Sequence, residues 1–291
     1  MIEVECPAKL NLWLRVLRRR PDGYHDIESV ACLISLADHL RLSTSQDGIR
    51  LTCSDSSVPS PPHNLAWRAA DAFISAAFKN SKPPGVCIHI QKRIPMQAGM
   101  GGASTDAAGT LMGLNQLLGE PLDNHTLVEL AQQLGSDVPL FFVKTGAALM
   151  RGRGEILEPL PSPSFWAVVV KPPFGVDTGW AYRNCTPSEL GPSPRDLLNA
   201  LASGDIEKAG KLLHNDLQEA VERFHPEIAG LRSELMRAGA RGALMTGSGS
   251  AVFGLAANRS EAEEIARRLP PDCGTVFVVS SLGAPEDERN G

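Results

Sequence analysis

Long apolar runs are missing from this 291-residue chain. No stretch reaches the ~18 to 20 apolar residues that span a bilayer, which excludes a helical membrane protein. Paired cysteines are missing as well. Cys6, Cys32, Cys53, Cys87, Cys185 and Cys273 are scattered without a C-x-x-C pair. That pattern speaks against a zinc ribbon or a disulfide framework and fits free thiols in a reducing compartment. The seven histidines show no H-x-x-x-H spacing, so a transition-metal site is not expected. The start lacks the basic-then-apolar pattern of a secretory leader, and the expected location is the cytoplasm. Positive charge is not in excess: 28 Lys and Arg against 33 Asp and Glu leave a net charge of −5. That sign argues against a general nucleic-acid binder. Internal repeats and coiled-coil heptads are absent. So are the G-K-S/T of a Walker A loop and the G-x-G-x-x-G of a dinucleotide fold.

What is present is a hydrophobic content of 43% and a charged content of 21%, ordinary for a globular enzyme. The length suits two ordinary domains or one large one. The most informative stretch is Pro95-Met96-Gln97-Ala98-Gly99-Met100-Gly101-Gly102-Ala103-Ser104-Thr105-Asp106-Ala107-Ala108. Three glycines within four positions let backbone N–H groups approach an anion closely. Ser104, Thr105 and Asp106 are candidates to cap the helix that follows, whose first N–H groups are unpaired and favour negative charge. Such a loop can cradle phosphate, and a plain tight turn is the alternative.

Two further segments carry candidate chemistry. From Lys9 to Val16 residues alternate with the strand period of two. Lys9, Asn11, Trp13 and Arg15 share one face, while Leu10, Leu12, Leu14 and Val16 suit the core. Lys9 and Asn11 side by side on a rigid strand can hold substrate oxygens; a solvated strand face is the alternative. In Leu134-Gly135-Ser136-Asp137-Val138-Pro139-Leu140-Phe141-Phe142, a helix stops at Gly135 and a short turn starts at Ser136–Asp137. Asp137 precedes a run of apolar residues and is expected to be partly sheltered, either as a working carboxylate or as an N-cap.

These three segments, with a second glycine-rich loop at Gly242-Ala243-Leu244-Met245-Thr246-Gly247-Ser248-Gly249-Ser250-Ala251-Val252-Phe253-Gly254, resemble the GHMP kinases from residue 2 to about 282. Pro7–Leu12, Arg20-Pro21-Asp22-Gly23-Tyr24-His25, Asp137-Val138-Pro139 and Val170-Lys171-Pro172-Pro173 narrow the match. They resemble family members acting on a small molecule that bears cytidine diphosphate, in the non-mevalonate route to isoprenoid precursors. The resemblance implies transfer of the γ-phosphate of ATP to the 2-hydroxyl of a methylerythritol moiety. It assigns Asp137 as base for that hydroxyl and Lys9 as its cationic neighbour. A nearby ammonium would keep the carboxylate ionised, and Lys9 would offset charge on the transferred group.

The same resemblance implies an ATP site at Pro95, Met96, Gln97, Ala98, Gly99, Met100, Gly101, Gly102, Ala103, Ser104 and Thr105, with Asn64 and Lys92 near the nucleotide. Ser104 or Thr105 would reach Mg²⁺. Asn64 can equally cap the helix from Leu65 to Phe78. Substrate contacts fall to Asn11, Tyr24, His25, Pro172 and Phe174. Tyr24 and His25 follow a tight Pro-Asp-Gly turn at the cytidine end, where His25 offers a donor and an acceptor. Because the substrates are polyanions, local cations matter, with Arg18, Arg19, Arg20, Lys92, Arg93, Arg151 and Arg153 as candidates. Where such kinases commonly carry Gly, Leu and Ser, this loop has Ala103, Met100 and Thr105. Only Ala103 raises a question, because a left-handed backbone there would be strained. Two other readings stay open: another GHMP small-molecule kinase such as a homoserine kinase, and a non-catalytic protein of the same fold. Asp22–His25 weighs against the first, and Lys9 with Asp137 against the second. Monomer and homodimer are both left open.

Punctuation sets the expected organisation. Strands are expected at 2–6, 10–17, 27–35, 39–44, 49–53, 86–91 and 147–150, and helices at 65–78, 104–118 and 125–134. A break at Pro159–Pro163 follows. Beyond it come strands at 166–171, 243–245, 251–256 and 275–279, and helices at 194–202, 205–213, 216–221, 226–237 and 260–268. The fold class is α+β. The resemblance implies a ribosomal-protein-S5-like α/β domain over 1–160 and a ferredoxin-like α/β sandwich over 161–282. A polar, disordered tail is expected over 283–291.

Overall fold

A computed structural model of the chain describes residues 1–79, 81–187 and 193–284. The expected tail therefore lies, from 285 onward, outside the described residues. The order begins β1 (Ile2–Arg19), β2 (His25–Ser45), β3 (Ile49–Cys53), α1 (Leu65–Ala77), β4 (Gly85–Gln91), α2 (Gly102–Leu117) and α3 (Asn124–Leu134). After a 3₁₀ turn (Val138–Phe142) come β5 (Ala147–Gly152), β6 (Ile156–Pro159), β7 (Trp166–Lys171), α4 (Thr178–Asn184), α5 (Arg195–Ala202) and α6 (Ile206–Lys211). The order closes with β8 (His214–Asn215), α7 (Asp216–Phe224), α8 (Glu227–Ala238), β9 (Ala243–Met245), β10 (Val252–Ala256), α9 (Arg259–Arg268) and β11 (Thr275–Ser280).

Most expected elements are found, with three kinds of correction. The two strands expected on each side of Pro7 are one, and so are those expected at 27–35 and 39–44. Pairing explains the length of β2. Its first half pairs with β5 from Ile27 to Cys32, and its second half pairs with β4 from His39 to Ser45. Three short elements, β6, α4 and β8, carry too little periodicity to be read from the sequence. Finally, α2 starts at Gly102, two residues earlier than expected, with Gly101 before it in the left-handed conformation at φ 75°. Ser104, Thr105 and Asp106 are therefore helical residues and not caps.

The chain forms two compact units. The first comprises Met1–Ala8, Leu36–Met96 and Gly101–Lys144. Here β4 pairs parallel with β3 and antiparallel with β2. Helix α2 packs against α1, α3 and the 3₁₀ turn. Its small residues let it lie close to the sheet: a Cβ at Gly109 would overlap the Cys6 sulfur, and one at Gly113 would overlap Leu42. Side chains start two of the helices, Asn64 accepting from the Ala66 and Trp67 N–H groups and Asp123 from that of Thr126.

The second unit comprises Lys9–Ser35, Gln97–Met100 and the chain from Thr145. Its antiparallel sheet runs β11-β7-β10-β9, with α8 against β9 and β10 and α9 against β7 and β11. Leu14, Val16, Val168, Val170, Leu217, Leu235, Val252 and Ile265 belong to its core. β8 joins β1 in parallel at Trp13 and Leu14. Both faces of β1 are buried from Ala8 to Val16, so the face bearing Lys9, Asn11 and Trp13 is not a solvated one. Among the described residues, no helix is long and apolar enough to cross a membrane.

Candidate active site

In the second unit the two glycine-rich loops are laced together. The Gln97 and Ala98 carbonyls accept from the N–H groups of Ser250 and Ala251 at 3.2 and 3.3 Å. A Cβ on Gly99 would overlap the Thr246 carbonyl, so this close approach requires glycine. Gln97 has a positive φ of 49°, whereas Ala103 is not among the residues with positive φ. Ala103 therefore carries no left-handed strain, and the strained side-chain-bearing residue of the loop is Gln97.

Lys9 is anchored to the same loop by its own backbone, which donates to the Met100 carbonyl at 3.0 Å. The Lys9 ammonium donates to Asn11 Oδ1. Asn11 is fixed in turn: its N–H donates to Thr246 Oγ1 at 3.0 Å, and its Nδ2 donates to Ser29 Oγ at 2.8 Å. A Cβ at Gly247 would stand 3.1 Å from the Lys9 ammonium. Asn215 Nδ2 holds the Met245 and Gly247 carbonyls at 2.7 and 2.8 Å. Ser29, Asn215 and Thr246 escaped sequence reading because each lies far along the chain from the groups it holds.

The β1–β2 hairpin carries Tyr24 and His25. Its turn is closed by the Gly23 N–H on the Arg20 carbonyl and the Tyr24 N–H on Asp22 Oδ1, both at 3.1 Å. Tyr24 is exposed, with the Arg153 guanidinium 5.0 Å from its ring centroid. His25 is buried and stacks on Tyr182 of α4 at 5.5 Å. Burial and then the nearby Arg19 charge push the His25 pKa down, which favours the neutral ring with one donor and one acceptor. Several expected cations are held by acids: Arg18 by Asp26, Arg20 by Asp22 and Asp26, and Arg151 by Glu28 and Glu158.

Pro172 is buried and Phe174 half-buried on the turn after β7. The Phe174 ring stacks on His225 at 4.9 Å. The Lys171 ammonium donates to the Pro172 and Phe174 carbonyls at 2.8 and 2.6 Å, and its pKa is lowered by burial.

The first unit holds the remaining residues. Pro95 and Met96 are half-buried, as is Ser104, while Thr105 is buried inside α2. Lys92 makes ion pairs with Asp38 and Asp106, at 2.9 Å to the latter. Asp38 also accepts from the Arg93 and Ile94 N–H groups. This buried cluster lies under the start of α2, where a Cβ on Gly102 would be 3.3 Å from the Lys92 ammonium. Burial pushes the Asp106 carboxyl up to about 7, with Lys92 opposing and Asp38 adding to the rise. Asn64 is buried and acts as the cap of α1. Asp137 precedes the 3₁₀ turn, is half-buried, and makes no capping bond. The N-cap alternative for this carboxylate is therefore not what the structure contains.

A nucleotide fits the loop region chemically. No side chain caps α2, so its first N–H groups are left to an anion. The half-buried Ser104 hydroxyl is a hard oxygen of the kind Mg²⁺ takes alongside water and phosphate. Residues 64–145 match the GHMP kinases N terminal domain and residues 197–274 the GHMP kinases C terminal domain. The chain belongs to the GHMP kinases, which are phosphotransferases, and has their mixed α/β fold.

Within that class, it is similar along its length to the 4-diphosphocytidyl-2-C-methyl-D-erythritol kinases. The Brevibacillus brevis enzyme is 40% identical over 99% of this chain and 98% of its own. The Moorella thermoacetica enzyme is 44% identical over 94% of this chain and 97% of its own. The crystal structure of a 4-(cytidine 5'-diphospho)-2C-methyl-D-erythritol kinase superposes with a TM-score of 0.83 and 38% identity, covering 96% of this chain and 99% of the other. A homoserine kinase from Cytophaga hutchinsonii shares the fold, with a TM-score of 0.74 at 20% identity over 97% of this chain and 96% of its own.

Proposed function

We propose that the chain transfers the γ-phosphate of ATP to the 2-hydroxyl of 4-diphosphocytidyl-2-C-methyl-D-erythritol. The products are the 2-phosphate and ADP, on the non-mevalonate route to isoprenoid precursors. The observation that carries this reading is the full-length similarity to kinases of that name, at 40% identity over 99% of the chain.

Phosphoryl transfer asks mainly for positioning and charge neutralisation. Asp137 accepts the hydroxyl proton, its carboxylate uncommitted to helix capping. Lys9, oriented by Asn11, offsets negative charge on the transferred group. Asn11 itself borders the acceptor oxygens. The loop from Pro95 to Thr105 and the uncapped start of α2 receive the ATP phosphates, and Ser104 is the hydroxyl suited to Mg²⁺. When bound, the ion supplies neutralisation of phosphate charge. Asn64 and Lys92 act beside the nucleotide, Lys92 by holding the helix start through Asp106. The neutral His25 reads the cytosine edge, Tyr24 stacks beside it, and Pro172 and Phe174 line the same end. The free cysteines suit a cytoplasmic setting.

The test is ADP release on a panel of alcohols with and without a cytidine diphosphate group. Turnover is expected only with the cytidine-bearing methylerythritol. Equal turnover of free methylerythritol or of homoserine would overturn the reading.

A further inference from the structure

Gln97 combines two features that rarely occur together. It bears a side chain at a positive φ of 49°, where glycine is the easy choice. That side chain also occupies the space beside Gly175. An added Cβ at 175 would overlap Gln97 Oε1 and lie 2.5 Å from the Gln97 Cβ. A second bridge joins the same two segments. The fully buried Ser250 donates its N–H to the Gln97 carbonyl at 3.2 Å and its hydroxyl to the Phe174 carbonyl at 2.5 Å. Lys171 grips the Phe174 carbonyl from within the turn. The phosphate loop and the Pro172–Gly175 turn are thus joined once by packing and once by a shared serine.

We infer that Gln97 and Ser250 couple the two ligand sites, so that nucleotide and cytidine substrate each raise the protein's affinity for the other. The inference rests on the proposed function, which puts phosphates at the loop and the cytidine end at the turn. A ligand that fixes the loop fixes Gln97 and the Ser250 N–H acceptor. The turn is then already placed for the second ligand, which loses less freedom on binding. Reciprocity requires one coupling factor, whichever ligand is added first. Gln97 and Ser250 are positioning residues in this account.

Calorimetric titration with cytidine 5′-diphosphate and with AMP-PNP plus Mg²⁺, each alone and in the presence of the other, reads the factor directly. The wild-type protein should show mutual enhancement of about five-fold or more, equal from both directions. Gln97→Gly permits the same backbone and removes the side chain. It should bring the factor to within about two-fold of unity. Ser250→Ala should lower it as well. Gln97→Met fills the space beside Gly175 and should preserve the enhancement. A merely structural role would weaken the separate affinities and leave their coupling intact. A wild-type factor of one, with both ligands binding, would overturn the coupling and leave the proposed function standing. An unchanged factor in Gln97→Gly would overturn the role of Gln97. Failure of cytidine 5′-diphosphate to bind the wild type at all would overturn the functional reading and the coupling with it.

Discussion

The Lys9 N–H donates to the Met100 carbonyl at 3.0 Å, so the strand that bears the ammonium also fixes the loop proposed to hold phosphate. The side chain proposed to act on the transferred group is thereby tied to the loop proposed to hold that group, which is what a reaction dominated by placement requires.

Asp137→Asn keeps the shape and removes the charge of the proposed base. Turnover should fall ~10²-fold or more, with little change in nucleotide affinity. Lys9→Met should also lower turnover. If the pair acts as a unit, the double variant should be little worse than the poorer single one in steady-state kinetics. Near-normal turnover of Asp137→Asn would end the base assignment.

His25 gives a pH dependence with a definite sign. Its pKa lies below the ordinary 6.5 because burial and Arg19 disfavour the charged ring. Substrate affinity should hold as pH falls through 6.5 and decline only at the lower folded value, where the ring acceptor is lost. The stability contribution has the same direction: present above the unfolded value and lost as pH falls. His25→Ala should weaken substrate capture by about 1–3 kcal/mol, the scale of a lost buried hydrogen bond. An inflection in the substrate KM at or above 6.5 would contradict the neutral-ring assignment.

Lys92→Met would leave Asp38 and Asp106 buried without their cation. Denaturant titration should show a loss of about 3–5 kcal/mol. A residue needed only for nucleotide contact would instead raise the ATP KM at unchanged stability.

Asp106 supplies a separate test. Its carboxyl is raised from the ordinary 3.8 to about 7, so its favourable contribution is complete below the unfolded value and is lost as pH rises through 7. Asn imitates the neutral acid. The melting temperature of Asp106→Asn should therefore gain on the wild type between pH 5 and 8. Parallel curves for the two proteins would show that the carboxyl is not raised.

Gly109→Ala places a methyl group into the Cys6 sulfur and should cost about 1–3 kcal/mol by overpacking. Combining it with Cys6→Gly removes the clash, and part of the loss should return. A double variant no more stable than Gly109→Ala, measured by urea unfolding, would show that the sulfur is not the obstacle.

Local signals were legible in the sequence. Gly135 ends α3 as its position suggests, and Asn64 caps α1. The start of α2 was misplaced because its hydroxyl and carboxylate residues suggest side-chain capping, whereas Gly101 begins the helix without a side chain. The sequence raises the question of a left-handed backbone at Ala103, and the structure has it at Gln97 instead, because a positive φ depends on packing around the loop as well as on residue type. Partnerships across the chain left no local trace. Asp38 lies inside a long strand, and nothing nearby marks it as the partner of Lys92. Tyr182 sits on a helix of seven residues, too short to show a period. The Pro-rich stretch near 160 suggests a break along the chain, but the second compact unit runs on through it from Thr145, and nothing in the stretch signals that Lys9–Ser35 joins that unit.

That last arrangement bears on how the protein is made. Lys9 and Asn11 leave the ribosome well before Thr246, which holds the Asn11 backbone from 235 positions later. The strand partners His214 and Asn215 are also late. Until then the nascent β1 has its hairpin partner β2 but lacks β8 and Thr246. Closure of so wide a loop makes this step slow compared with the local formation of α1 to α3. Substitutions in the apolar face of β1 would then act on the interval in which that strand is still open to aggregation as well as on the finished fold.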